Sequence, residues 1–220
     1  METFVTALRA TLVTLVLTGL VYPLVVTGAA QVLFPHRANG SIVVDDKGHE
    51  VGSELLGQGF TAPEYVWPRP SASGYDAASS GGTNLGPTSK KLRDGAVDDP
   101  ATKEVDESFI GVTQLAHDYR ETNGLTASEW VPVDAVTRSA SGLDPDVSPD
   151  NARFQAARIA KARGVEVARV QAVIDANTDG RELGLLGEPR VNVLAVNLAL
   201  DRKFGRPAHL ASEGGATLAK

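Results

Sequence analysis

The pattern of hydrophobic and polar positions divides the chain in two. From Ala10 to Pro35 no residue is charged; Arg9 stands just before this stretch and His36-Arg37 just after it. As a helix it is roughly 39 Å long at about 1.5 Å per residue, more than the roughly 30 Å of a bilayer's hydrocarbon core. Three readings fit it. One is a single transmembrane helix. Another is a cleaved signal peptide, with Arg9 in its n-region and Gly28-Ala29-Ala30 as the cleavage site. The third is a buried core helix, a class that rarely stays charge-free for so long. The run exceeds the usual h-region and continues through Val32-Leu33-Phe34, and Pro23 in its middle suits a membrane helix better than a soluble one. A retained membrane anchor is therefore the expectation. Arg9 on one side and Arg37 with Lys47 on the other leave the orientation open.

After the apolar stretch the pattern changes to short periodic segments. Ser41 to Val44, a turn at Asp45-Asp46-Lys47-Gly48, and His49 to Val51 predict a strand, a turn and a strand. Residues from Gly57 to Ser89 are dense in Gly, Ser, Pro, Thr and Asn and predict a long loop. Tyr65, Trp67 and Tyr75 within it favour order. A helix is expected next, with Asp99 as N-cap and Pro100 at its first position. Its apolar face is Val105, Phe109, Val112, Ala116 and Tyr119, and Gly124 ends it. A second helix is expected from Ser148-Pro149 to Arg163-Gly164, with Ala152, Ala156 and Ile159 on its apolar side. A third runs from about Glu166 to Ala176, presenting Val167, Val170, Val173 and Ile174. Val191 to Leu200 is apolar without clean alternation and reads as a strand buried on both faces. The soluble part is thus an α+β (mixed α/β) domain.

Composition narrows the chemistry. Lys and Arg number 21 against 27 Asp and Glu, a net charge of −6. Only Glu2 and Arg9 of these precede His36, so the soluble part carries the whole excess. An acidic domain without basic clusters argues against nucleic acid as a partner. The absence of cysteine excludes disulfides, thiolate metal sites and cysteine nucleophiles.

Motif searches return little. His36, His49, His117 and His209 are scattered, HExxH and GxxxxGK[ST] are missing, and Gly57-Gln58-Gly59 is a lone GxG. Asp175-Ala176-Asn177-Thr178-Asp179-Gly180 fits the first half of a calcium loop, but its twelfth position is Leu186 rather than Glu. A helix end passing into a polar turn explains these residues without a metal, and no metal site is expected. Ser139 and Ser141 offer hydroxyls for a secreted hydrolase, without a GxSxG elbow. Two glycine- and hydroxyl-rich loops stand out, Arg69 to Pro87 and Val136 to Pro145. Their glycines let backbone amides approach a partner and form an anion-binding nest. The alternative is a set of turns fixed by side-chain-to-backbone bonds.

An ordered series of segments carries a family resemblance. It comprises Gly19, Tyr22-Pro23-Leu24, Phe34-Pro35 and Ala38-Asn39-Gly40-Ser41, then Gly57-Gln58 with Phe60, Arg69 to Ala72 and Ser80 to Pro87. It continues with Pro132-Val133-Asp134, Val136-Thr137, Ser139 to Pro145, and the helix bearing Gln155, Arg158, Ala160, Lys161, Ala162 and Arg163. Gly187 to Leu194, Asn197 and Leu198 close it. The series resembles the C subunit of the Kdp potassium-transporting P-type ATPase. That resemblance implies a bacterial or archaeal inner-membrane protein: a short cytoplasmic segment over 1–9, a transmembrane helix over 10–35, an extracytoplasmic domain over 36–206 and a flexible tail over 207–220. It implies partners too, namely a channel-like potassium-binding subunit, a P-type ATP-hydrolysing subunit and a small membrane subunit. The chain lacks the DKTG motif of a phosphorylated pump, in keeping with an accessory, non-catalytic role. The family is described as a catalytic chaperone that raises the ATP affinity of the hydrolysing subunit. This marks Ser80, Gly81, Gly82, Thr83, Asn84 and Gln155 as nucleotide or partner contacts. No cofactor is held tightly, and ATP enters only through the complex. Gly19 and Gly28 are expected to pack the membrane helix against its neighbours.

Overall fold

The computed structural model describes residues 1–45, 48–95 and 109–211. The chain forms two compact units, residues 1–42 and 43–220.

The first unit is a 32-residue helix from Glu2 to Leu33, long and apolar enough to cross a membrane, with a mean hydropathy of 2.0 in its most apolar window. It comprises α1 (Glu2–Val16), a π-helical stretch (Leu17–Val21) and α2 (Tyr22–Leu33). Pro23 explains the stretch: it has no N–H to offer the carbonyl of Gly19. The Tyr22 N–H then reaches back five residues to the Leu17 carbonyl. None of the helix residues is buried, which overturns the buried core helix as a reading of this stretch. Phe34, held out of the α region by the following proline, ends it, and Pro35–Ala38 form the short α3.

The expected hairpin, β1 (Ile42–Val44) and β2 (Glu50–Ser53), begins at the last residue of the first unit and opens the second. Residues 54–89 then run without helix or strand, as their turn-forming composition predicts. They are nonetheless ordered against the core, since Phe60, Tyr65 and Val66 are buried. Ser89 caps α4 (Lys90–Asp94) through its hydroxyl. The expected helix face from Val105 is shorter than predicted. Helix α5 spans Val112–Asn123, starts at Gly111 and stops at left-handed Gly124. Phe109 precedes it as irregular chain, because Gly111 is extended at ψ 166° as the helix N-cap; a side chain on Gly111 would overlap the Asp94-Gly95 backbone. Asp99, Pro100 and Val105 lie outside the described residues.

The short α6 (Val133–Val136) and β3 (Asp146–Val147) follow. Ser148 caps the second predicted helix and left-handed Gly164 ends it. It is split at Gln155 into α7 (Pro149–Phe154) and α8 (Ala156–Arg163). Helix α9 (Val167–Ala176) buries Val170, Val173 and Ile174 as expected, while Val167 stays exposed.

The predicted strand from Val191 to Leu200 is mostly helix. Only Arg190–Asn192 form β5, which sits between β3 and β4 (Thr178–Asp179), antiparallel to both. The Asn192 side chain then accepts from the Ala195 N–H at 3.0 Å and starts α10 (Val193–Phe204). Val193, Leu194, Val196, Asn197 and Leu200 are its buried face, a helical spacing that the continuous apolar run conceals. Residues 208–211 add a final turn, α11 (Ala208–Ala211). The core gathers Val147, Ile159, Val170, Ile174, Val191, Val196 and Leu200, all at 2% exposure or less. Each such side chain stabilises by about 1.5–3 kcal/mol relative to full exposure.

Candidate functional site

Two polar constructions organise the second unit, and both involve residues picked out by the sequence. The first is a clasp around residues 63–67 of the long loop. This segment has no strand partner, so its backbone groups need side chains to satisfy them. Asn197, on the buried face of α10, accepts from Val66 N–H at 2.8 Å and donates to Val66 C=O at 3.0 Å. Gln155, at the α7–α8 junction, accepts from Trp67 N–H at 2.7 Å and donates to Trp67 C=O at 3.1 Å. The two amides stand in for the missing strand.

Arginines close the clasp from α8. Arg158 donates to the carbonyls of Pro63 and Tyr65 and to Gln155 Oε1, and its guanidinium lies 4.2 Å from the centre of the Trp67 ring. Burial lowers its pKa to about 10, leaving it charged at neutral pH. Arg163 donates to the Glu64 carbonyl at 2.8 Å and pairs with Asp201 at 2.7 Å. Asp201 also accepts from the Tyr65 hydroxyl at 2.8 Å. Burial, and then this carboxylate, push the Tyr65 phenol well above its ordinary pKa.

The second construction joins the two glycine-rich loops. Gly81 N–H and the Ser80 hydroxyl donate to the Ser141 carbonyl, at 2.8 and 3.1 Å. Ser71 and Ser73 hydroxyls donate to the Gly142 carbonyl, and Gly57 N–H to that of Leu143. Arg69 pairs with Asp144 at 2.6 Å and reaches the Thr137 carbonyl. Gly142 has a φ of +68°, and a Cβ there would meet the Gly81 carbonyl at 2.7 Å; one on Gly82 would meet the Ala140 carbonyl at 3.0 Å. The close crossing of these two loops thus requires glycine at 142 and leaves little room for a side chain at 82.

The structure therefore brings Ser80, Gly81 and Gly82 together with Ser139 to Gly142. It does not bring them to Gln155. That side chain is 1% exposed, also donates to Asn151 Oδ1 and has every amide group engaged. It underlies a cavity of about 340 Å³ whose walls include Trp67, Arg69, Ser71, Tyr75 and Tyr119 but none of residues 80–84. Thr83 is half-buried, and Asn84 is exposed with a left-handed φ of +54°. Ser139 and Ser141 hydroxyls accept from the N–H groups of Gly142 and Leu143, so they serve the turn. Within the calcium-like segment, Asp175 pairs with Arg153 and the Asn177 amide caps the end of α9 on the Val173 carbonyl. Among the described residues no group of three or more His, Asp and Glu is placed to hold a metal ion.

Sequence reasoning gave Gln155 a contact role but gave Arg158, Asn197, Tyr65 and Trp67 none. The available signal was Asn197, one of two Asn in the otherwise apolar run from Val191 to Leu200, where a buried amide demands partners.

The chain matches the family model described as "KdpC: K+-transporting ATPase, c chain" over residues 4–202. It is 55% identical to a "Potassium-transporting ATPase KdpC subunit" of Myxococcus xanthus, over 93% of this chain and 90% of that protein. Proteins of the same name from Caulobacter sp. (strain K31) and Mycobacterium bovis (strain BCG / Pasteur 1173P2) are 50% and 48% identical. The former covers 88% of this chain and 89% of the relative, the latter 89% and 96%. Nothing in these relatives' names supports the hydrolase reading of Ser139 and Ser141.

Proposed function

The chain belongs to the KdpC family of K+-transporting ATPase subunits, and from that premise we propose that it stabilises the assembled pump from outside the membrane. In this reading Glu2–Leu33 is a retained single-pass anchor with its N-terminus in the cytoplasm. Residues 43–220 then form an extracytoplasmic cap over the channel-like potassium-binding subunit. The P-type ATP-hydrolysing subunit and the small membrane subunit complete the complex, and the chain performs no chemistry of its own.

The observation that carries the cap reading is the saturation of its polar residues. Gln155, Asn197, Arg158 and Arg163 are turned inward to hold residues 63–67. The Gly81 N–H that an anion nest requires is already bonded to Ser141. A chaperone effect on ATP affinity would then pass through the assembly, since a domain outside the membrane does not meet cytosolic ATP. Gly19 and Gly28 would pack the anchor against neighbouring helices. Beside Gly19 a Cβ would touch only Leu15 of the same helix, and beside Gly28 nothing lies within 4 Å, which leaves room there for a neighbour.

Two experiments test the proposal. A reporter fused after Lys220 should be active only outside the cytoplasm; cytoplasmic activity would reverse the topology. Purification of the tagged chain from cells expressing the other proposed subunits should recover a P-type ATPase and a multi-span partner. Recovery of the chain alone would defeat the reading.

A further inference from the structure

The strands β4 and β5 are joined by a turn whose hydrophobic residues face solvent. Leu183, Leu185 and Leu186 are 90%, 80% and 63% exposed. The turn is rigidly built. Glu182 and Leu186 exchange both backbone hydrogen bonds, at 2.8 and 2.9 Å, and Arg181 pairs with Glu188 at 2.7 Å across its base. Leu183 is held at a φ of +53°, a conformation unfavourable for leucine and easy for glycine or asparagine. Folding gains nothing from three uncovered leucines, one of them strained. None of the described residues covers them, which points to cover from another chain.

Charge identifies that cover as protein. The only cations of the hairpin are Arg181 and Arg190. Arg181 is paired with Glu188; Arg190 lies 3.3 Å from Asp146 and 3.9 Å from both Asp179 and Glu182. An anionic bilayer surface needs cations beside the apolar residues, and these are already committed to carboxylates. A collar of two arginines among four carboxylates, Asp146, Asp179, Glu182 and Glu188, is net acidic and repels such a surface; around apolar anchors it is instead the layout of a protein–protein contact, with its dry centre and polar rim. We infer that the leucine-tipped turn Glu182–Leu186 is a docking knob that inserts into an uncharged, apolar cleft on another subunit of the ATPase complex. This rests on the function proposed above.

The test uses the full chain, co-expressed with its partner subunits and purified in mild detergent. Leu183→Asn should leave thermal unfolding unchanged or raise its midpoint, because the strain is relieved, yet weaken recovery of partner subunits about tenfold. Leu183→Ser/Leu185→Ser/Leu186→Ser should abolish recovery with the fold intact. Leu55→Ser, also at an exposed leucine (59%), should change nothing. With Leu185→p-benzoylphenylalanine in intact membranes, ultraviolet light should give an adduct with a subunit of the complex. Recovery by the triple variant equal to wild type, or adducts with lipid alone, would overturn the knob while leaving the proposed function standing. Failure of the wild type itself to recover partners would remove both.

Discussion

Asn197 and Val66 are joined by two hydrogen bonds, with the Asn197 side-chain amide both accepting from and donating to the backbone of Val66. A residue 131 positions away in sequence thus supplies what a neighbouring strand would normally provide. Gln155 repeats the arrangement at Trp67. Removing either amide strands a backbone N–H and C=O that are already shielded from water. Asn197→Ala is expected to cost about 2–4 kcal/mol, from two unsatisfied buried groups. Gln155→Ala should fall in the same range. Because the two grip adjacent residues, the double variant should lose less than the sum. Denaturant unfolding of the full chain in detergent measures all three, and a loss below about 1 kcal/mol for Asn197→Ala would contradict the clasp.

The crossing of the two glycine-rich loops sets up a contrast between glycines. Gly142→Ala places a Cβ at a φ of +68° and against the Ser73 side chain and the Gly81 carbonyl. It should destabilise by about 2–3 kcal/mol, strain and steric displacement together. Gly86→Ala, in the same kind of sequence, has nothing within 4 Å and no left-handed φ. It should lie within about 0.5 kcal/mol of wild type. Equal effects at the two positions would mean that the crossing does not form.

These contrasts mark the limit of what the chain discloses by pattern. The apolar helix, the Ser148 cap, the Gly124 and Gly164 ends and the face of α9 were legible because each is a local signal within one turn or one period. Helix α10 was not, because Val191 to Leu200 is apolar at nearly every position and both periods fit it; only Asn192, as a cap, separates β5 from α10. The pairing of loops 69–87 and 136–145 was half legible. Their composition announced backbone contacts, but whether those contacts go to a ligand or to each other depends on long-range folding. Gln155 shows the same limit. An amide in a helix reads identically whether it faces a nucleotide or the backbone of Trp67.

Three tyrosines give the second unit a defined response to alkali. Tyr65, Tyr75 and Tyr119 all have raised pKa values, chiefly through burial, with Asp201, Asp144 and Asp134 adding to the effect respectively. In the unfolded chain these phenols ionise near pH 10, whereas in the folded chain they stay protonated above it. The stability they support is therefore complete below about pH 10 and is lost as pH rises beyond it. The loss is about 1.4 kcal/mol per pH unit for each phenol. Phenolate absorbance from these residues should appear together with loss of circular dichroism, not before it. Tyr75→Phe should shift the alkaline midpoint upward. Reversible ionisation of all tyrosines near pH 10 with the fold intact would refute this.

The fate of Ser80 and Thr83 separates the cap from a direct nucleotide contact. The Ser80 hydroxyl bonds the Ser141 carbonyl at an exposed position, so its removal should cost at most about 1 kcal/mol of stability. A hydroxyl bound to a phosphate makes a charge-assisted bond, and its loss costs about 1.5–3 kcal/mol, tenfold or more in affinity. Ser80→Ala/Thr83→Ala, assembled in the complete complex, is therefore expected to leave the ATP concentration for half-maximal hydrolysis within twofold of wild type. Gln155→Ala should lower the yield of assembled complex through its stability defect, while the complexes that do form keep normal ATP dependence. A tenfold rise for the Ser80/Thr83 variant at normal yield would place nucleotide against this loop, and the topology of the chain would then have to be the reverse of the one proposed.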